Sequence, residues 1–186
     1  NVTIAAAEGY DGSFFTVSGS STKFNVDGLT LTGARDSALY VSGGAVTIAD
    51  SEFISNSATA GGAIYSSSNS SVTINDSVFE LNTATNEGGA IYATGSTVTL
   101  NDSVFDANTA TNAGGALYIG GRSHVMANYV AFTDNAAPEG ENYYIDETSF
   151  FTGTGSEAPS AVVTTALDVV DPYDGLISLR EAIRYR

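Results

Sequence analysis

The sequence predicts an all-β fold, a right-handed parallel β-helix with a coil of about 26 residues, followed by a short strand-plus-helix element that resembles a cap. Phe53, Phe79, Phe105 and Phe132 recur at a step constant to within one position, and each is followed three places on by an asparagine, Asn56, Asn82, Asn108 or Asn135. The pairs Leu39-Tyr40, Ile64-Tyr65, Ile91-Tyr92, Leu117-Tyr118 and Tyr143-Tyr144 keep the same step, again to within one position. A fixed period of this length marks a solenoid. Between the markers, Val72-Thr73-Ile74 and Val98-Thr99-Leu100 alternate as half-buried strands do, and no window carries helical spacing. Gly-Gly, Asn-Asp and Asn-Thr-Ala-Thr-Asn punctuate each period into three short strands, too few for a propeller blade and suited to one turn of a parallel coil. The right hand follows from the rule for parallel crossovers.

Taken in order, residues 1–44 read as irregular early coils, in which Phe24-x-Val26 matches Val72-x-Ile74 and Leu31 takes the phenylalanine position. Residues 45–135 form the regular body. Residues 136–151 are a decayed coil, with Gly140-Glu141-Asn142-Tyr143-Tyr144 in place of Gly-Gly-Ala-Leu-Tyr. The β-helix is therefore expected over 1–152, a Gly/Ser/Pro-rich flexible linker over 153–161, and a separate element over 162–186. Roughly six or seven coils at the sheet spacing would span about 30 Å. Equivalent residues then stack: the phenylalanines as an internal aromatic ladder, Ile48, Ile74 and Leu100 as an aliphatic one. The asparagines read as turn staples that tolerate left-handed backbone and hydrogen-bond the amides around them and one another.

Composition bounds the partners. The chain of 186 residues carries a net charge of −15 with only 15% charged residues, which argues against a nucleic-acid or anionic-membrane partner. It has no Cys, so neither disulfides nor thiolate metal sites enter. No apolar run approaches membrane-spanning length. The sequence opens in an apparent strand, Asn1-Val-Thr-Ile4, and reads as a piece of something longer.

Several columns bear on chemistry. Asp50, Asp76 and Asp102 repeat at the step of the phenylalanines, each followed by Ser. Stacked carboxylates repel unless hydrated, tied to the turn or bridged by a cation, and calcium is the ion that suits them; Asp-Ser turn chemistry is the plainer reading. Asp168, Asp171 and Asp174 form a second acidic cluster, better read as shaping the turn before a helix with Ser178 as N-cap and Glu181 completing a capping box. No cofactor is required by either. His124 reads as a surface histidine. Strand alternation lets only one column of each aliphatic-tyrosine pair face the core; with the aliphatic column inward, Tyr40, Tyr65, Tyr92, Tyr118 and Tyr144 form an external stripe able to stack on sugars or on another chain, and the opposite parity would bury them. Asn-x-Ser/Thr triplets begin at Asn1, Asn69, Asn75 and Asn101 but are cheap matches in this composition.

The Gly-Gly-Ala-Ile-Tyr blocks paired with Phe-x-x-Asn, over residues 38–145, resemble the repeats of chlamydial polymorphic outer-membrane proteins and related bacterial surface β-helices. The tail resembles the CSLREA-type motif through Ser178-Leu-Arg-Glu-Ala-Ile183, with Ile177 in place of the Cys. In such families that motif usually opens a β-helix, so its order here is inverted. These resemblances imply an extracellular or cell-surface structural segment, a stalk, adhesin or filament subunit; the scarcity of converging cations and of any long apolar run adds the expectation that it is not an enzyme and does not insert into a membrane. Its expected partners are other copies or neighbouring repeats met head to tail, and glycans or a host surface. Val162, Val163, Leu176, Leu179 and Ile183 would then close an open coil end near Val2 and Ile4. Two alternatives remain: a carbohydrate-binding module using the tyrosines, and a polysaccharide lyase or hydrolase of the pectin-lyase-like type. The latter needs carboxylates converging with a cation, whereas the coil body offers only Lys23, Arg35 and Arg122, with the two arginines at different phases.

Overall fold

A computed structural model describes residues 2–154. Each coil visits three faces in turn. The first coil is β1 (Val2–Ala5), β2 (Phe15–Ser18) and β3 (Lys23–Asp27); the second is β4 (Leu29–Thr32), β5 (Leu39–Ser42) and β6 (Ala45–Ala49). The third inserts a further short strand: β7 (Glu52–Ile54), β8 (Ser57–Ala60), β9 (Ile64–Ser67) and β10 (Ser71–Asn75). The fourth repeats it as β11 (Val78–Glu80), β12 (Thr83–Glu87), β13 (Ile91–Thr94) and β14 (Thr97–Asn101). The fifth is β15 (Val104–Asp106), β16 (Thr109–Ala110), β17 (Leu117–Gly120) and β18 (His124–Asn128), and the sixth β19 (Ala131–Thr133), β20 (Tyr143–Ile145) and β21 (Phe150–Thr154).

Every strand pairs in parallel with its equivalent one coil on, giving three six-stranded sheets, β1-β4-β7-β11-β15-β19, β2-β5-β9-β13-β17-β20 and β3-β6-β10-β14-β18-β21. The fold is a right-handed parallel β-solenoid of six coils among the described residues. A fourth sheet, β8-β12-β16, corrects the expectation of three strands per coil. The Asn-Thr-Ala-Thr-Asn segments expected as punctuation are strand, because threonine suits a pleated surface and Ala58, Ala84 and Ala110 are small enough to turn inward at the corner. β21 also continues to Thr154, two residues past the expected end of the coils.

The register is the one the period implies. Phe53, Phe79 and Phe105 pair in line and are fully buried, with ring centroids 4.8 and 4.7 Å apart. Phe132 continues the stack at 5.3 Å and is half-buried. Leu31 precedes them in the same column. Val46, Val72, Val98 and Val125, with Ile48, Ile74 and Leu100, fill the core from the third sheet. Deleting one such ring leaves a cavity worth about 3–5 kcal/mol.

The asparagine column lies inside. Asn82 Nδ2 donates to the Phe53 carbonyl at 2.8 Å and to Asn108 Oδ1 at 2.9 Å. Its Oδ1 accepts from the backbone N–H and the Nδ2 of Asn56, both at 3.1 Å. Both donors and both acceptor sites of a fully buried amide are thereby used. Asn108 bonds in the same way; Asn56, first of the column, donates to the Leu31 carbonyl and accepts from the Ala34 N–H at 3.0 Å, and Asn135 donates to Asn142 Oδ1 at 3.2 Å. One expectation is corrected here: the left-handed backbone falls on the residue before each asparagine, Ser55, Leu81, Ala107 and Asp134, and not on the asparagine itself. A second polar column runs at the opposite corner, where the Ser51 and Ser77 backbone N–H groups donate to Ser77 and Ser103 Oγ at 3.2 Å.

The Gly-Gly pair has a steric cause. The first glycine of each corner has positive φ, 63° to 68° at Gly61, Gly88 and Gly114. A Cβ on the second would lie 2.0 Å from the Gly115 carbonyl oxygen at Gly89, and 2.4 Å from the Gly89 carbonyl oxygen at Gly62. The next coil's backbone occupies the space a side chain needs. In the sixth coil, the last described, Glu141 takes this position.

Candidate functional site: an external tyrosine ladder beside an acidic cleft

Alternation along the second sheet decides which column faces out. Leu39, Ile64, Ile91 and Leu117 are buried and Tyr143 packs against the core, so their neighbours Tyr40, Tyr65, Tyr92, Tyr118 and Tyr144 project outward. The five half-buried rings stack along the axis at centroid distances of 4.9, 5.1, 4.9 and 5.1 Å, with interplanar angles of 0°, 16°, 10° and 14°. Each interior ring therefore has a neighbour over both faces and offers solvent its edge and hydroxyl.

Beside the ladder, bridges place Glu87, Ala113 and Glu139 in successive coils. The small Ala113 between two longer side chains opens a cleft of about 280 Å³, lined by Glu87, Asn112, Tyr118, Pro138, Glu139 and Tyr144. Burial pushes the Glu87 carboxyl up. Burial, with the charges of Glu87, Tyr92, Tyr144 and Asp146 added, pushes the Tyr118 phenol up to about 12. Tyr92 is raised by burial, Glu87, Tyr65 and Asp146 against a hydrogen bond with Thr94, and Tyr65 by burial and Tyr40. Burial also pushes the Asp146 carboxyl up, but hydrogen bonds from the Gly121 N–H, Ser149 and Thr148 outweigh it and hold the group below the usual carboxylate range. The Gly121 bond measures 2.7 Å.

The remaining candidates scatter. Asp50, Asp76 and Asp102 are exposed at positive-φ turns, φ 48°, 46° and 48°, which is the backbone that Asp tolerates. Among the described residues no three His, Asp or Glu side chains form a metal-holding group. His124 pairs in register with Thr97 and Phe150 on the outer face of the third sheet, and the neighbouring Val125 continues the valine column. Arg35 meets exposed Asp11 at 3.6 Å, and the Arg122 N–H donates to Thr148 Oγ1 at 3.1 Å. Val2 and Ile4 lie on β1, the edge of the first sheet, with Val2 largely exposed and Ile4 against the core. Asp168, Asp171, Asp174, Val162, Val163, Leu176, Leu179, Ile183, the capping-box residues and most of the expected linker lie outside the described residues.

Sequence reasoning missed three features. The Asn142 stop to the amide ladder comes seven residues after Asn135, off the coil period. Asn75, Asn101 and Asn128 form an outer amide ladder with two bonds of 2.8 Å; its members repeat visibly, but Asn75 and Asn101 also open glycosylation-type triplets, which hides the stack. The acidic cleft is signalled only by the Glu-Ala-Glu sequence of one column.

Three segments, residues 50–67, 76–94 and 102–120, match the Chlamydia polymorphic membrane protein repeat. These three segments are similar to polymorphic membrane protein repeats. Each matched segment spans an Asp-Ser turn, the buried phenylalanine and asparagine, the Gly-Gly corner and the aliphatic-tyrosine pair. The repeat family and the solenoid together fit a surface β-helix protein. No curated protein and no solved structure matches the chain. Among the described residues no helix is long and apolar enough to cross a membrane.

Proposed function

We propose that the chain is a non-enzymatic structural segment of a cell-surface β-helix protein, a rod that serves as stalk, adhesin body or filament subunit and meets its neighbours head to tail. The observation that carries this reading is the identity of successive coils: the same buried ring, fully bonded amide and glycine corner recur in β7 to β18, and a rod needs repetition where an enzyme needs one unique site. An acidic exterior disfavours lateral clumping of such rods.

The carbohydrate alternative loses its physical basis for the interior tyrosines, since a ring faced on both sides by its neighbours has no face left for a sugar. The test of assembly is sedimentation velocity and negative-stain microscopy of the intact chain beside Ile4→Asp. End-to-end particles that shorten to single rods in the variant support the proposal; lateral dimers, or identical assembly by both chains, sink it. Sustained release of reducing or unsaturated sugar ends from acidic polysaccharide, lost on mutating one carboxylate cluster, would overturn the non-enzymatic part.

A further inference from the structure

We propose that the external tyrosine ladder is a site of oxidative cross-linking, at which a peroxide-driven one-electron oxidant joins adjacent coils through dityrosine, first between Tyr118 and Tyr144. Parallel in-register strands hold these rings 5.1 Å apart with planes 14° from parallel, so each ortho carbon of one ring has its counterpart on the next at about the centroid spacing. Both rings line the cleft of about 280 Å³, which is open to a small oxidant. Glu87 and Glu139 line the same cleft and offer carboxylates as proton acceptors beside the phenols. Tyr40–Tyr65, Tyr65–Tyr92 and Tyr92–Tyr118 have the same stacking but are not paired across that cleft.

The chemistry balances with hydrogen peroxide as the oxidant. Each of two phenols loses one electron and one proton; the two phenoxyl radicals combine through their ortho carbons, and each ring regains its phenol by moving the displaced ring hydrogen to oxygen. One new C–C bond forms, the peroxide O–O bond breaks, and the two electrons and two protons taken from the tyrosines leave in two water molecules. The product would tie one coil to the next in a chain that has no Cys with which to form a disulfide. Such a tie removes loop freedom from the unfolded chain in the way a disulfide does.

The chain carries its own controls. Tyr129 is the most exposed tyrosine described, and Tyr10 stacks on Phe14 and not on another tyrosine. If exposure alone governs coupling, those two residues will dominate and will join separate molecules. The full-length chain, dilute and folded, is treated with a peroxidase and hydrogen peroxide, then digested, and the linked peptides are mapped by mass spectrometry. A parallel sample is treated in urea. The expected result is a monomeric product whose main link is Tyr118–Tyr144, with lesser links confined to ladder neighbours, while the urea sample gives links scattered over all tyrosines. Tyr118→Phe keeps the stacked ring and the fold but removes the radical partner; the 118–144 and 92–118 links vanish and the remaining links move to Tyr40–Tyr65 and Tyr65–Tyr92. Links through Tyr129 or Tyr10 between chains, the same map in folded and urea-treated samples, or an undiminished yield in Tyr118→Phe would overturn the proposal.

Discussion

Two stacks with one period run along this solenoid on opposite sides of the wall, and they differ in what water can do for them. The inner stack of Asn56, Asn82, Asn108 and Asn135 is buried, so every donor and acceptor it satisfies is one that solvent cannot reach. The outer stack of tyrosines is half-wet; its rings gain from contact, but a lost ring is replaced by solvent at modest cost. Repetition alone therefore does not rank a column's importance. Burial does, and the substitutions below separate the two stacks by size of effect.

The largest effect belongs to the corner that lets the inner stack close. A Cβ at Gly89 would meet the Gly115 carbonyl oxygen at 2.0 Å and the Thr109 nitrogen and oxygen at 2.7 Å, all backbone atoms of the next coil. No rotamer relieves such a clash, so Gly89→Ala is expected to cost more than about 4 kcal/mol, or to prevent folding. Urea unfolding checks this, and a loss below about 1 kcal/mol would mean the coils sit further apart than described.

Next comes a matched pair of truncations, one in each stack of the fourth coil. Asn82→Ala leaves the Asn56 backbone N–H without its acceptor and takes one bond each from the Phe53 carbonyl, the Asn56 amide and Asn108 Oδ1 in a dry site, with an expected loss of about 3–5 kcal/mol. Tyr92→Ala removes two ring contacts at a surface, with an expected loss of about 1–2 kcal/mol. Equal losses would break the distinction between inner and outer ladders.

A smaller effect of opposite sign tests the same rule. Ser66 projects into the core between Val41 and Ala93, and its hydroxyl is the buried side-chain group without a hydrogen-bond partner among the described residues. Ser66→Ala is expected to raise stability by about 1 kcal/mol, read from the urea midpoint at unchanged slope. A destabilised variant would show that the hydroxyl has a partner.

What was legible in the sequence was whatever repeats in phase. Phe53 to Phe132, Asn56 to Asn135 and Tyr40 to Tyr144 fall into columns from spacing alone, because a parallel coil turns sequence period into spatial register. Parity was harder: Ile91 and Tyr92 repeat equally well, and only the closed wall fixes which faces in. The fourth strand was hidden because Thr83-Ala84 has the small, polar look of a loop, and its strand character comes from pairing with Ser57-Ala58 and Thr109-Ala110. The second glycine's role was invisible as well, since the clash that requires it lies in the following coil.

The finest distinction concerns charge. The unfolded chain's tyrosines ionise near their ordinary value of 10.0, whereas burial and neighbouring charges push Tyr118 up to about 12 and raise Tyr65 and Tyr92. A raised folded pKa contributes stability that is full below pH 10 and is lost as pH rises toward about 12, so the urea midpoint should hold up to pH 10 and then fall. Glu87 obeys the same sign at lower pH: its carboxyl is raised above 4.5, so its contribution is full below that value and lost as pH rises through its folded pKa. Its ionised form is a charge held partly out of water beside two phenols. Glu87→Gln should therefore change stability by no more than about 0.5 kcal/mol, in the favourable direction. It should also lower the pH at which the last phenol ionises, followed by ultraviolet absorbance. The shift will be partial, because burial is the larger cause at Tyr118 and remains in the variant. An unchanged late titration would show that Glu87 does not face Tyr118, and would remove that carboxylate from the cleft.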